Sequence, residues 1–254
     1  MVSPTSAGQA LVDSFESIRI INLAHRADRR REMAEQLARI GLSFDHPQIA
    51  LFEARKFSEA ARFPTPGTRG CFQSHLDLLT EAHAKGLGSI LIFEDDFNFH
   101  DDIETLLPLA LDALGRTDWD VFYGSLLPGQ YRATTRPIEL IPSSNDPAGC
   151  HFYALRGAAI GEAAAYLDAM THRGEGERHP DGCPMHYDGG LAHYRRRHPA
   201  IRAYVAHPDL GHQRLSRTDI HVLPVYDRIP GLRQAASLVR GLIKGSGRTR
   251  PIRR

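Results

Sequence analysis

The chain has 254 residues, 42% of them hydrophobic and 24% charged, and its 31 basic and 30 acidic residues leave a formal charge of +1. That is the composition of an ordinary globular protein with a sizeable core, and the balanced charge supplies no global field for nucleic acid or another polyanion. Three widely spaced cysteines, Cys71, Cys150 and Cys183, make neither a CxxC pair nor a disulfide framework, so a reducing, cytoplasmic setting is expected.

Residues 1–17 read as a polar leader without the basic and apolar regions of a signal peptide. No run approaches the roughly 18 to 20 apolar residues that span a bilayer, so no transmembrane helix is expected. "IRIINL", Ile18 to Leu23, is a β-branched run of buried-strand type. After it, Met33, Leu37 and Ile40 recur at helical spacing in "RADRRREMAEQLARIG", which Gly41 closes.

A second helix is expected over Cys71 to Gly86, followed directly by the strand "SILIFEDD", which ends in acid. "DIETLLPLALDALG" reads as a helix that Asp101 or Asp102 can cap, and "WDVFYG", Trp119 to Gly124, as another strand. Alternating strands and helices predict an α/β fold with a largely parallel sheet. From Ser125 to Pro147 the pattern dissolves, apart from "PIELI", and strand-then-helix alternation resumes at Cys150. Thr171 to Gly190 reads as a long loop rich in His, Gly and Pro, of the kind that is usually functional or disordered. Residues 18–227 are therefore expected to form a single domain. The tail, 228–254, has eight basic residues and no acidic one, with Leu232, Ala236, Val239 and Ile243 at helical spacing. A solvated terminus and a helix lying on an anionic membrane surface both fit it.

Four pieces carry chemistry. The first is Glu94, Asp95 and Asp96, consecutive carboxylates between "ILIF" and "FNF". At the carboxyl end of a strand they sit where open α/β sheets bind ligands, and Mg²⁺ or Mn²⁺ is commonly held by one or two carboxylates plus substrate phosphates. A solvated acidic strand end is the alternative. The second is "INLAHRADRRR": Arg29, Arg30 and Arg31 oppose the helix dipole and make better sense beside an anion, with Asn22 able to read the edge of a base, a solvated basic face being the alternative. The third is Asp188 in "MHYDGG", a loop carboxylate able to act as a general base or simply to make a turn. The fourth is "HPDLGHQRLSRTDI", in which His212, Arg214 and Arg217 collect a metal ligand and two phosphate-binding cations.

In this order the four pieces resemble glycosyltransferase family 25, the lipopolysaccharide-biosynthesis and collagen-galactosyltransferase type. "INLAHRADRR" matches the family's I-N-L-x-x-R-x-x-R through Asn22, Leu23, Arg26, Arg29 and Arg30. "GCFQSHL", Gly70 to Leu76, matches G-C-x-x-S-H-L, and "ILIFEDD" matches the strand ending E-D-D. The late blocks "MHYDGG" and "HPDLGHQRLSRTDI" look like the family's p-x-D and P-x-L-x-x-Q segments. Thr68 and Arg69 stand where family members often carry a Glu before Gly-Cys, which points to a subgroup with a different acceptor.

The resemblance implies a GT-A-like sandwich that transfers a hexose from a UDP-sugar, with inversion, to a lipopolysaccharide, capsule or other surface glycan. It implies Asp96, with Glu94 or Asp95, as holder of Mn²⁺ or Mg²⁺ and His212 as a third ligand. The remaining acid would bind the ribose or donor sugar. Asn22 and Arg26 would flank uridine, Arg29 would lie near the diphosphate, Arg214 or Arg217 would close over it, and Asp188 would be the base. A metal-dependent phosphoesterase and a non-catalytic nucleotide-sugar-binding module are the alternatives, the former requiring further carboxylates on other strand ends, where Asp120 is the nearest on offer.

Overall fold

The structure, a computed structural model, describes residues 3–127, 134–173 and 179–214. These lie in one compact unit that ends at Arg214. The central sheet has seven strands: β1 (Ser17–Asn22), β2 (Ile49–Glu53), β3 (Ser89–Glu94), β5 (Val121–Tyr123), β6 (Ile138–Ile141), β7 (Phe152–Arg156) and β8 (Ala203–Ala206). Their order across the sheet is β2-β1-β3-β7-β5-β8-β6. Five strands run one way, while β7, between β3 and β5, and β6, at the edge beside β8, run against them. This is the expected α/β sandwich with a mostly parallel sheet.

Both faces of the sheet are covered, as the near-continuous apolar run of β3 requires. Leu91 and Phe93 face a core shared with Ile18, Ile20, Met33, Leu37 and Leu107. Ile90 and Ile92, pointing the other way, join Phe72, Leu76, Leu79, Ile160 and Leu167. The helices behind these cores are α1 (Ser6–Ser14), α2 (Ala27–Arg39) and α4 (Ile103–Gly115) on the first face, and α3 (Pro66–Ala84), α5 (Ala158–Thr171) and α6 (Tyr187–Arg197) on the second.

The leader expected over residues 1–17 is instead part of the fold. Ala7, Leu11, Val12 and Phe15 are spaced as one helical stripe and are buried in the first core. Burial of Leu11 and Phe15 alone contributes about 1.5–3 kcal/mol each. Thr5 caps α1 by accepting from the Gly8 N–H, and its hydroxyl donates to Glu104 of α4 at 2.6 Å. The second helix likewise starts before the expected Cys71, at Pro66, because Thr65 caps it and proline at the first helical position needs no donor. Residues 215–254, including the basic tail and the expected domain end at 227, lie outside the described residues.

Candidate active site

The chain passes from β1 to β2 on one side and then to β3 on the other side of β1, so the order of strands reverses between β1 and β3. A crevice at the carboxyl ends of two such strands is the standard ligand position in an open α/β sheet. Asn22 ends β1 and Glu94 ends β3 at that point. Asp95 and Asp96 then form the turn into a short strand, β4 (Phe97–Phe99), which pairs antiparallel with β9 (Gly211–Gln213). Gly211 makes this pairing possible: a Cβ there would lie 2.1 Å from the Asn98 carbonyl oxygen.

The three carboxylates have different partners. Asp95 is buried and internally satisfied, accepting from Asn22 Nδ2 at 2.7 Å and from Arg29 at 2.8 Å. The same Arg29 nitrogen lies 3.2 Å from Asp96. This explains the arginine in the first turn of α2: the anion it meets is the protein's own acidic turn. Asn22, expected at a base edge, spends its amide on Asp95 and, at 3.2 Å, on the Arg26 carbonyl. Arg26 pairs with Asp28 at 2.8 Å.

Glu94 and Asp96 meet a neutral amide. Gln213 Nε2 donates at 3.3 Å to Glu94 Oε2 and to both oxygens of Asp96. Burial, reinforced by the neighbouring carboxylates and only partly offset by Arg29, pushes both acids up to about 7. Two hard-oxygen side chains held at a crevice with their ionised forms disfavoured make a fitting donor set for a hard divalent cation.

Three expectations are corrected here. His212 does not join the carboxylates: it is exposed and alternates along β9 with Gln213, so the strand's two-residue period turns it to the opposite face. Arg214 does not reach over an open crevice. Its guanidinium donates to the Asp95 and Phe97 carbonyls and, at 2.6 Å, to Asn98 Oδ1, and it pairs with Glu32 at 3.0 Å, so it clamps the acidic turn from behind. Asp188 lies in the first turn of α6, not on a loop. One of its oxygens accepts from the Gly149 N–H at 3.1 Å and the other from the Gly189 N–H at 2.8 Å, and its charge raises Glu94 further. Arg217 lies outside the described residues.

Two side chains inside the quoted motifs are additional members. Gln213 belongs to "HPDLGHQRLS" and His75 to "GCFQSHL", where the histidine reads as structural or surface. His75 is buried, held down to about 3 chiefly by that burial, and its Nε2 lies 3.3 Å from Glu94 Oε1. Gly70, ahead of it, lets α3 approach the chain: a Cβ there would sit 2.5 Å from the Arg55 carbonyl oxygen.

Residues 15–134 match the sequence model of glycosyltransferase family 25 (LPS biosynthesis protein). The family 25 resemblance holds. Among curated relatives, Procollagen galactosyltransferase 1-A of Xenopus laevis is 28% identical over 128 residues, 43% of this chain and 21% of its own length. Inactive glycosyltransferase 25 family member 3 of Homo sapiens is 27% identical over 127 residues, again 43% of this chain and 21% of its own length. The chain thus spans about a fifth of the length of these family 25 relatives. A glycosyltransferase involved in glycosylation of the major capsid of PBCV-1 overlaps 76% of this chain and 93% of its own, with a TM-score of 0.37 and 9% identity. That overlap is too loose to bear on function. Among the described residues, no helix is long and apolar enough to cross a membrane.

Proposed function

We propose that the chain is an inverting, metal-dependent glycosyltransferase that moves a hexose, galactose or glucose, from a UDP-sugar to a lipopolysaccharide, capsule or other surface glycan. The observation that carries this reading is the enclosed pair Glu94 and Asp96, both pushed up to about 7, at the switch point between β1 and β3. Asp96 with Glu94 would hold Mn²⁺ or Mg²⁺, and a cation there would neutralise the diphosphate of the departing UDP. Asp95, fixed by Asn22 and Arg29, gives the turn its shape. Arg26, half-buried at the start of α2, would meet the nucleotide. Asp188 takes the acceptor hydroxyl's proton, its carboxylate oriented by two backbone N–H groups.

A phosphoesterase is disfavoured, since Asp120 precedes β5 and lies level with the amino end of β3, away from the acidic turn. The test is UDP release from a panel of UDP-hexoses in Mn²⁺, with and without acceptor glycan. Asp188→Asn should lower turnover about 10²- to 10⁴-fold while UDP still binds. Turnover unchanged in this variant would refute Asp188 as base, and UDP binding without release from any donor would mark a non-catalytic binding module. For the basic tail, binding to an anionic cytoplasmic membrane face is proposed; truncation after Asp227 should weaken binding to anionic vesicles, and equal binding disposes of that role.

A further inference from the structure

Behind the acidic turn, a second group of ligating side chains is assembled from different chemistry. Cys71 and His75 lie one turn apart on α3 and face the end of β3, where the ligand atoms of Cys71, His75 and Glu94 all fall within 4.8 Å of one another. Among the described residues no other three Cys, His, Asp or Glu side chains gather so closely.

The hydrogen bonds around His75 dictate which of its nitrogens carries the proton. Tyr153 donates its hydroxyl proton to the Tyr187 oxygen at 2.9 Å. Its oxygen, 2.8 Å from His75 Nδ1, must therefore accept, which puts the imidazole proton on Nδ1. Tyr187 also stacks on the imidazole, with centroids 4.1 Å apart and planes 15° apart, so the ring cannot turn freely. His75 Nε2 then presents a lone pair to Glu94 Oε1 at 3.3 Å inside the fold. Two acceptors face each other, and only a proton or a cation between them relieves the repulsion. The Nδ1–H held by a polar partner is also how metal-binding histidines are oriented.

We propose that Cys71, His75 and Glu94 form a binding site for a borderline-soft divalent transition metal of the Zn²⁺ class, which shares Glu94 with the proposed oxygen-ligand position but does not use Asp96. Thiolate with imidazole selects such metals over Mg²⁺ or Mn²⁺, and three protein ligands leave a fourth position for water. Cys71 is half-buried on α3. Binding replaces the S–H bond by an S–metal bond and releases that proton to the buffer. The site does not depend on the transferase reading, although an ion there would draw Glu94 toward α3.

The test is titration of the full chain with Co²⁺, followed by the thiolate-to-cobalt charge-transfer absorption, with Zn²⁺ as competitor. One Co²⁺ per chain is expected, giving a band that Zn²⁺ abolishes. Cys71→Ser should remove the band and His75→Ala should weaken Co²⁺ binding by more than about tenfold, the size seen when even an outer-shell partner is lost. Asp96→Asn should leave the band unchanged, which separates this site from the proposed donor site. Should Cys71→Ser fail to fold, the Cys150→Ser/Cys183→Ser double variant leaves Cys71 as the sole thiol and must retain the band. Absence of the band from wild type at stoichiometric Co²⁺, its survival in Cys71→Ser, or its loss from the double variant overturns the proposal.

Discussion

The two ends of the central sheet use the same residue types to opposite effect. At the amino end, Asp118 pairs with Arg156 and Arg202, and Asp120 accepts from the Arg202 N–H, all on side chains open to water. At the carboxyl end, Glu94, Asp95 and Asp96 are gathered with Asp188 nearby, and buried Arg29 sets its guanidinium against both Asp95 and Asp96. Exposed pairs contribute about 0–1 kcal/mol and are readily screened. Enclosed carboxylates whose charged forms are disfavoured by burial and by one another are relieved by a proton or a bound cation. The difference is what makes one end surface and the other a candidate site.

The largest test of this contrast is Arg29→Met. Leaving Asp95 buried without its cation should cost about 3–5 kcal/mol in urea unfolding near pH 8, and a loss below about 1 kcal/mol would make the buried pair no different from a surface one. Next is Gly211→Val, which forces a side chain against the Asn98 carbonyl and the Phe97 ring. It should destabilise the fold by up to about 3 kcal/mol and displace Gln213 from the carboxylates; wild-type stability would show that β4 and β9 pair without need of glycine.

A pH effect follows from Glu94 and Asp96, whose burial and mutual repulsion raise both carboxyls together. In the folded chain both titrate at about 7, against 4.5 and 3.8 when free. Folding therefore retains protons that the unfolded chain has already released, so this contribution is fully present below about pH 4 and is lost as pH rises through about 7. Chelator-treated protein should unfold at lower urea near pH 8 than near pH 5.5, and the opposite order would contradict the enclosure of the pair. The smallest effect belongs to the amino end: Arg202→Ala should cost less than about 1 kcal/mol and leave ligand binding untouched.

How much of this is legible in the sequence differs by element. β1, β3, α2 and α4 announce themselves through dense apolar runs or helical spacing, because each buries a whole face. β2 hides, since only Ile49 of its five residues is fully buried at the sheet edge. β4 and β9 are three residues each and exist by pairing with each other across more than a hundred residues. α1 was masked by its serines and glycine, although Ala7, Leu11 and Val12 carry the spacing. At the site, the acidic triplet could be read as one feature, but its division of labour could not: Asp95 is consumed by Asn22 and Arg29, partners that only the turn of α2 into the crevice reveals. Gln213 escaped because a neutral amide beside His212 and Arg214 looks least like a ligand, and the alternation of β9 decides which of these neighbours faces inward.

The central claim, that the carboxyl end of β3 holds a cation-dependent nucleotide site through Asp96, is tested most directly by calorimetric titration of UDP in Mn²⁺ against wild type and Asp96→Asn. Saturable binding that disappears with chelator and in Asp96→Asn is the predicted result. Equal UDP affinity in the two proteins, or binding indifferent to Mn²⁺, would contradict it.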